Sequence, residues 1–208
     1  MIRVLLADDH TVVRRGLKQI LAETEDIRTG GEVDSGAGVL HAAREKKYDV
    51  VLLDITLPDQ NGLEVLEQLR TAHPNLPVLM LSVHPEEQYA IRALKEGAAG
   101  YLTKDSAPEE MVAAIRKVYR GGKYVSSALA ERLAGLLGSQ EKAPHESLSE
   151  REFQVMLLLA NGKSVSEIAN GLALSAKTVS TYRARLMGKL GVNSIAELVR
   201  YAMKHELI

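Results

Sequence analysis

Five polar side chains in the first half of the sequence each come after a short apolar run, and together they could act on phosphate. They are Asp8, Asp9, Asp54, Ser82 and Lys104. Three crowded carboxylates repel one another, so without a cation at least one would take up a proton. Mg²⁺ removes this conflict because it prefers oxygen ligands and binds carboxylates together with phosphate oxygens. One aspartate could then attack phosphorus and form an aspartyl phosphate, which the lysine and the hydroxyl would contact.

These side chains can meet only if the apolar runs before them lie side by side. The runs cover residues 4–7, 50–53, 78–81 and 98–102, with a weaker one at 31–33. Near-continuous apolar runs are typical of parallel strands buried on both faces, and segments with helical spacing lie between them. This alternation predicts an α/β doubly wound parallel sheet of five strands. In such a sheet ligands bind outside the carboxyl ends of the strands, where the five side chains would converge.

Each of these residues has an ordinary structural explanation when it is taken alone. An aspartate at a strand end often only forms a turn, and a single lysine usually lies in solvent. The five together have little structural reason to occur in this order, which favours a shared phosphate chemistry. A Mg²⁺-dependent phosphatase acting through Asp54 is one rival, but Thr56 occupies the position, two residues on, where a second acid/base carboxylate would be needed.

The C-terminal part of the chain is predicted to be helical because signals for helix starts recur there. A serine is followed three residues later by a glutamate at Ser149/Glu152, Ser164/Glu167 and Ser194/Glu197. Each pair predicts a capping box, in which the serine oxygen accepts a free helix N–H and the glutamate reaches back to another. Ser175 is a fourth predicted cap. The predicted helices cover residues 149–160, 164–171, 175–190 and 194–204.

Changes of pattern along the chain predict two domains. The first covers residues 1–120. A linker follows at 121–147, because Gly121 and Gly122 break the preceding helix and residues 138–147 are polar and contain a proline. The linker has room for one helix at 125–137. The second domain covers residues 148–208.

A net charge of −1 conceals a local excess of positive charge. Residues 168–196 contain no Asp or Glu, and their basic residues are Lys177, Arg183, Arg185 and Lys189. The third predicted helix would bury Val179, Leu186 and Leu190. Its outward stripe would then consist of Lys177, Thr181, Ala184 and Gly188. Small residues flanked by cations suit a helix in the major groove of DNA, with a merely solvated basic helix as the alternative.

Four segments of the first domain resemble, in order and spacing, the receiver domain of response regulators. They are LLADDH, VLLDITLPDQNGLEVL, LMLSVH and AAGYLTKD. The resemblance implies that Asp54 is the phosphoacceptor. It implies a Mg²⁺ site formed by Asp8 through water, Asp9, Asp54 and the backbone carbonyl of Thr56. It also implies phosphoryl contacts from Ser82 and Lys104 and a switch role for the aromatic ring of Tyr101, for which simple packing is the alternative. Asp105 stands where many receivers have proline, which concerns the loop geometry and not the lysine chemistry.

The segment LSEREFQVMLLLANGKSVSEIANGLALSAKTVSTYRARLMGKLGV resembles the LuxR-type helix-turn-helix. With the receiver, it indicates the NarL/FixJ class of transcriptional regulators. By this resemblance the residues facing base edges are Ser180, Thr181 and Ala184. Those holding the DNA backbone are Lys177, Tyr182, Arg183, Arg185 and Lys189, with Thr178 in the same DNA-binding set. The last helix resembles a dimerisation helix that partly serves its own core, and its predicted contacts are Ile195, Leu198, Val199 and Ala202.

The predicted function is a transcriptional response regulator that binds double-stranded DNA after a sensor histidine kinase phosphorylates Asp54. Phosphorylation would shift the population toward a DNA-competent homodimer, and no enzymatic role beyond slow self-dephosphorylation is expected. A regulator that binds DNA constitutively and carries a vestigial receiver is the other alternative. The absence of cysteine and of any apolar run long enough for a secretory signal or a membrane span predicts a cytoplasmic protein without membrane contact.

Overall fold

The computed structural model describes residues 1–83, 86–136 and 143–208. Contacts within the chain divide it into two compact units, Met1–Gly135 and Leu136–Ile208. Part of the predicted linker at 121–147 lies outside the described residues, because 137–142 are not among them. The domain limits at 120 and 148 stay predictions, and each unit is described by itself.

The first unit is built on a five-stranded parallel sheet with the strand order β2-β1-β3-β4-β5. Its strands are β1 (Ile2–Ala7), β2 (Ile27–Val33), β3 (Val50–Asp54), β4 (Val78–Ser82) and β5 (Gly100–Thr103). Every pair of neighbouring strands is parallel. The predicted doubly wound sheet of five strands is confirmed.

Helices follow the strands and cover both faces of this sheet. They are α1 (Thr11–Ala22), α2 (Gly36–Glu45), α3 (Gly62–Ala72), α4 (Glu86–Lys95) and α5 (Pro108–Tyr119), with α6 (Ser127–Leu136) inside the segment predicted at 125–137. Leu21 of α1 and Ile115 of α5 join one apolar core with alternate strand side chains. Leu5, Leu53 and Met80 are also fully buried but lie outside that core. Burial on both faces explains why the strand sequences are apolar throughout.

The edge strand β2 begins at Ile27, four residues before the weak run that predicted it. Gly30 and Gly31 interrupt its apolar pattern. The ring of Tyr48 packs over both glycines, and a Cβ atom on Gly31 would lie 2.5 Å from the Tyr48 hydroxyl oxygen. The glycines therefore leave space for an aromatic ring over the edge strand, and they hide half of the strand from a pattern-based prediction.

The second unit is helical. Its elements are a 3-10 helix (Pro144–Ser147), α7 (Glu150–Ala160), α8 (Val165–Gly171), α9 (Ala176–Leu190) and α10 (Ile195–Lys204). The four predicted helices are confirmed to within one residue at each end. The four predicted caps also accept backbone N–H groups, and they are Ser149, Ser164, Ser175 and Ser194.

One of the three predicted capping boxes is incomplete. The carboxylates of Glu152 and Glu167 accept the N–H of their own cap residues, as predicted. Glu197 instead accepts the N–H of Asn193, at 2.7 Å, which lies one residue before the cap Ser194. In the third predicted box the hydrogen bond from the cap N–H to the glutamate is therefore wrong, because the carboxylate accepts the N–H of the residue before the cap.

The described helices are short in comparison with a lipid bilayer. The longest, α9, has 15 residues, whereas a membrane-spanning helix needs about 20 apolar residues. Within the described ranges, none has both the length and the apolar character required to cross a membrane.

Candidate functional site

Four of the predicted site residues lie at one edge of the sheet. Asp54 and Ser82 are the last residues of β3 and β4, Asp8 follows β1 directly, and Lys104 follows β5 directly. The strands β1, β3, β4 and β5 are consecutive neighbours in the sheet, and all run in the same direction. Side chains that are up to about a hundred residues apart in sequence are thus brought to the same edge.

Lys104 forms ion pairs with two buried carboxylates. Its Nζ atom lies 2.7 Å from Oδ2 of Asp54 and 2.6 Å from Oδ2 of Asp8. Asp8 is fully buried and Asp54 is 2% exposed. One lysine balances only one of these two negative charges, so the site retains negative charge where little water can stabilise it.

Asp9 and His10 extend this arrangement into a cluster with the geometry of a metal site. One ligand atom from each of Asp8, Asp9, His10 and Asp54 lies within 4.8 Å of the others. Oδ2 of Asp8 is buried and accepts no hydrogen bond of good geometry, although it lies close to the lysine. Three carboxylates against one lysine form the oxygen-rich, negatively charged surroundings that Mg²⁺ prefers. The residues present therefore fit the predicted ion.

His10 is a member of this cluster that the sequence-based prediction missed. Its Nδ1 atom lies 2.6 Å from Oδ1 of Asp9 and 3.3 Å from Oδ1 of Asp8. Its backbone N–H also donates to Oδ1 of Asp8 at 2.7 Å, which fixes that carboxylate from the opposite side to Lys104. The signal was present in the motif LLADDH, because a histidine next to two aspartates adds a third side chain of a metal-binding type.

The first turn of α3 packs closely against the backbone of Asp54. Asn61 begins this helix with a capping box, and the N–H of Gly62 donates to the carbonyl of Ile55 at 2.7 Å. A Cβ atom on Gly62 would lie only 2.1 Å from the carbonyl oxygen of Asp54, so no larger residue fits there. The N–H of Thr56 donates to Oδ1 of Asp54 at 3.1 Å. That the carbonyl of Thr56 binds the metal stays a prediction. These contacts fix the position of the Asp54 carboxylate.

Ser82 and Tyr101, the predicted responders to a phosphoryl group, are both inside the fold. Ser82 is 1% exposed and Tyr101 is fully buried. Tyr101 lies opposite Met80 in the register of β4 and β5, and Met80 is two residues before Ser82 in the same strand. Packing accounts for the position of this ring, and the switch role stays a prediction.

The loop after Lys104 is closed by hydrogen bonds, although it has Asp105 in place of proline. The N–H of Lys104 donates to the carbonyl of Ser82 at 2.7 Å, and the N–H of Ser106 donates to the carbonyl of Thr103 at 3.1 Å. The hydroxyl groups of Thr103 and Ser106 also lie 3.1 Å apart. These contacts supply a turn that holds the lysine against the neighbouring strand.

The environment shifts the pKa values of the two central groups. Burial raises the pKa of Asp54 to about 6, and the charge of Asp8 adds to the rise while the hydrogen bond and charge of Lys104 oppose it. Burial alone would lower the pKa of Lys104, but the hydrogen bonds and charges of Asp54 and Asp8 outweigh it, so this pKa lies above its usual value. Ionisation of Asp54 therefore carries a free-energy cost until a further cation binds nearby.

We expect Asp54→Asn to stabilise the first unit near neutral pH in a buffer with EDTA. Because the pKa of Asp54 is higher in the folded state, this group stabilises the fold at pH values below its unfolded pKa of 3.8. That contribution is lost as the pH rises through the folded pKa of about 6. Asparagine does not titrate, so between about pH 4 and pH 7 the variant should gain up to about 3 kcal/mol in the free energy of unfolding relative to the wild type. Urea denaturation across this range measures the difference.

The matched control for this prediction is Asp34→Asn. Asp34 follows β2 as Asp54 ends β3, but it is exposed. The Asp34→Asn variant should not show the gain in unfolding free energy expected for Asp54→Asn, because it relieves no burial of a carboxylate. If the free energy of unfolding depended on pH in the same way for wild type and Asp54→Asn, the burial cost assigned to the Asp54 carboxylate would be contradicted.

In the second unit, α9 has the two faces that were predicted for it. Its buried residues are Val179, Leu186 and Leu190. The predicted outward stripe is exposed along its length, and it consists of Lys177, Thr181, Ala184 and Gly188. Of the other residues in the predicted DNA-binding set, the exposed ones are Ser180, Arg185 and Lys189, and the half-buried ones are Thr178, Tyr182 and Arg183. The faces are confirmed, whereas the DNA contacts stay predictions.

The helix α10 has less free apolar surface than predicted. Leu198 and Ala202 are fully buried within the fold, so they have no surface with which to contact a second copy. Ile195 and Val199 are half-buried and keep some exposed surface. Of the four predicted dimer contacts, these two keep surface outside the fold, and dimer contact itself stays a prediction. The period of the apolar stripe does not separate residues that serve the fold from residues that face outward.

Two family models match the chain. The response regulator receiver domain matches residues 4–116, and the luxR family of bacterial regulatory proteins matches residues 146–202. The first match spans the sheet and its acidic edge. The second spans the helical unit with α9. Together they cover most of the sequence.

Curated relatives match over the full length. Response regulator GacA of Pseudomonas aeruginosa is 42% identical over 210 aligned residues, covering 100% of this chain and 98% of the relative. Response regulator UvrY of Escherichia coli is 41% identical over 209, covering 100% and 96%. Among solved structures, RcsB from Salmonella enterica serovar Typhimurium bound to promoter rprA with phosphomimetic BeF3⁻ has a TM-score of 0.67 at 26% identity, with 96% of this chain and 97% of that chain covered.

Proposed function

This chain belongs to the response regulators of the NarL/FixJ class, and we propose that Mg²⁺-dependent phosphorylation of Asp54 controls its binding to double-stranded DNA. The observation that carries the proposal is the position of Asp54. Its carboxylate is buried at the sheet edge, in contact with Lys104 and within one metal-sized cluster with Asp8 and Asp9. The relatives are named as response regulators, which argues against the phosphatase alternative.

Asp8, Asp9, Asp54 and the backbone carbonyl of Thr56 would hold the magnesium ion. When bound, Mg²⁺ supplies positive charge that offsets the crowded carboxylates and the oxygens of the incoming phosphoryl group. A carboxylate oxygen of Asp54 forms a bond to phosphorus as the bond between phosphorus and the donor breaks. The donor would be the phosphohistidine of a partner sensor histidine kinase. Slow hydrolysis of the aspartyl phosphate would reset the protein.

The residues around Asp54 would convert the phosphoryl group into a change of conformation. Lys104 already lies at the acceptor carboxylate and supplies a positive charge to the added oxygens. Ser82 would donate its hydroxyl hydrogen to one of them. Tyr101 would follow the movement of the neighbouring strand end. The added charge thus shifts the population between two states of this edge of the sheet.

The output would be the docking of α9 in the major groove of DNA. Base edges would be contacted by Ser180, Thr181 and Ala184. The sugar-phosphate backbone would be contacted by Lys177, Thr178, Tyr182, Arg183 and Arg185. Serine, threonine and alanine discriminate weakly between bases, so a modest sequence preference is expected. The similar RcsB structure is of a protein bound to a promoter in the presence of a phosphoryl mimic, which supports this coupling.

Homodimer formation would double the contact with DNA. Ile195 and Val199 keep exposed surface on α10 and are the proposed contacts between two copies. A symmetric dimer predicts two half-sites about ten base pairs apart, centre to centre. A cytoplasmic location, where a histidine kinase and DNA are both within reach, belongs to the same proposal.

Beryllofluoride with Mg²⁺ is expected to increase the DNA affinity of the full-length chain about tenfold or more, as is typical of coupling between two sites. The probe is a duplex selected by the protein from a random-sequence pool, and affinity is measured by fluorescence anisotropy alongside mass in solution. Asp54→Asn should not respond to beryllofluoride. Equal affinity and equal mass with and without the mimic would instead indicate a constitutive DNA-binding regulator with a vestigial receiver.

A further inference from the structure

The last basic residue of α9, Lys189, is bound within its own fold. Its Nζ atom lies 2.5 Å from Oε2 of Glu152 and 3.3 Å from the carbonyl oxygen of Ser147. Glu152 is 3% exposed, whereas the Lys189 side chain is 41% exposed. The contact joins the final turn of α9 to the first turn of α7 and to the 3-10 helix before it.

Glu152 is also held in place by Ser149. Its Oε2 atom accepts the N–H of Ser149 at 2.8 Å, and Ser149 in turn caps α7. Burial would raise the pKa of Glu152, but the hydrogen bond from Lys189 and those from Ser149 outweigh it, and the pKa lies below its usual value. Without Lys189, a nearly buried carboxylate would lose its cationic partner, which is unfavourable.

The other cations of α9 differ from Lys189. Among the described residues, Lys189 is the one cation of this helix with an acidic partner within 4.0 Å. Lys177 and Arg185 are exposed, and neither forms such a pair in the described part of the chain. They can extend toward phosphates, whereas Lys189 would first have to break its contact with Glu152.

The contact lies at the C-terminal end of α9, where it can influence the orientation of the helix. α9 has 15 residues and is therefore about 22 Å long. Its first turn is fixed by the Ser175 cap, and its last turn is fixed by the contact between Lys189 and Glu152. Leu186 and Leu190 also hold this end of the helix in the core, so loss of the ion pair would permit a small change of tilt. Such a change would displace the side chains that must meet successive phosphates.

We propose that Lys189 is a positioning residue for DNA binding and not a phosphate contact. Its ion pair with Glu152 sets the orientation in which α9 presents Lys177, Thr181 and Arg185 to the duplex. This assignment replaces the expectation from sequence that Lys189 holds the DNA backbone, and it rests on the DNA-binding part of the proposed function.

Two substitutions separate positioning from direct contact. In Lys189→Gln a phosphate contact would lower the slope of log affinity against log salt by about 0.9, whereas a positioning residue lowers affinity and leaves the slope unchanged. Glu152→Gln keeps the capping box but removes a negative charge near the DNA-binding helix. Simple electrostatics then predicts tighter binding, whereas the positioning role predicts weaker binding.

The experiment titrates the full-length chain on one labelled duplex of about 30 base pairs between about 50 and 200 mM salt. We expect Lys189→Gln and Glu152→Gln each to weaken binding about tenfold with the wild-type slope, and the double variant to be no weaker than either, as coupled neighbours require. Lys189→Arg should retain wild-type affinity. Circular dichroism and thermal unfolding establish that each variant is folded at the temperature of the titration.

Arg185→Gln is the matched control, because it removes one exposed cation from the same helix and should reduce the slope by about 0.9. A reduced slope in Lys189→Gln would overturn the positioning role, and so would unchanged or tighter binding in Glu152→Gln. That second variant keeps the proposal testable if Lys189→Gln fails to fold. An absence of salt-dependent binding by the wild type and by Arg185→Gln would instead count against the proposed function.

Discussion

Asp54→Asn is expected to accept no phosphate from acetyl phosphate and Mg²⁺ under conditions that label the wild type. The amide of asparagine has no carboxylate oxygen that can attack phosphorus. Asp8 and Asp9 are not expected to replace it, because both are assigned to hold the magnesium ion in the proposed site. Labelling should therefore be lost completely. Intact mass and the base-lability of the phosphate measure the outcome.

Two controls accompany this variant. Asp34→Asn removes an exposed aspartate directly after β2 and should be labelled like the wild type. Wild type in EDTA should remain unlabelled, because the crowded carboxylates need a divalent cation before a phosphoryl group can approach. Equal labelling of wild type and Asp54→Asn would end the assignment of Asp54 as the phosphoacceptor.

Replacing Lys177, Arg183 and Arg185 together with glutamine is expected to weaken DNA binding more than a hundredfold near 0.1 M salt. Each lost phosphate contact removes about 0.9 from the slope of log affinity against log salt, so three contacts remove about 2.7. These side chains are exposed or half-buried on α9. The loss should be similar for different duplex sequences, because phosphate contacts carry little sequence information. Thr181→Ala, in contrast, should change the ranking of sequences.

A triple variant in the first unit controls for total charge. Arg44, Lys46 and Lys47 are exposed near the end of α2, and their replacement by glutamine removes the same positive charge. That variant should keep the wild-type slope. If both triple variants lost affinity equally, DNA binding would depend on overall charge and the surface of α9 would have no special role.

Much of the fold could be predicted because its signals are local or follow a topological rule. The strand runs are apolar throughout because both sheet faces are covered, and the caps at Ser149, Ser164 and Ser175 are set by residues within three positions. The meeting of Asp8, Asp54 and Lys104 followed from one rule, that parallel strands place their carboxyl ends at the same edge.

The features that escaped prediction depend on contacts between distant parts of the chain. Lys189 meets Glu152 across 37 residues, and nothing in the sequence of α9 distinguishes it from its neighbouring cations. Leu198 and Ala202 share one apolar stripe with Ile195 and Val199, and only tertiary packing separates the buried pair from the half-exposed pair. Periodicity shows that a helix has an apolar face, but it does not show how far the neighbouring helices cover it.

The requirement for glycine at position 62, next to the backbone of Asp54, also depends on a contact between separate elements. Gly62 is the first residue of α3. In the structure it allows the helix to approach the carbonyl oxygen of Asp54 more closely than any Cβ atom permits. The need arises from the packing of α3 against β3, which a pattern of residue types does not contain.

Anomalous diffraction from crystals of the full-length chain soaked in Mn²⁺ tests the metal site at the sheet edge most directly, since Mn²⁺ accepts the same carboxylate, carbonyl and water ligands as Mg²⁺. We predict a peak within coordination distance of the carboxylates of Asp9 and Asp54, beside Asp8, that disappears when excess EDTA is added. A manganese ion bound only elsewhere on the molecule, or no ion at this edge, would contradict the chemistry assigned to Asp54.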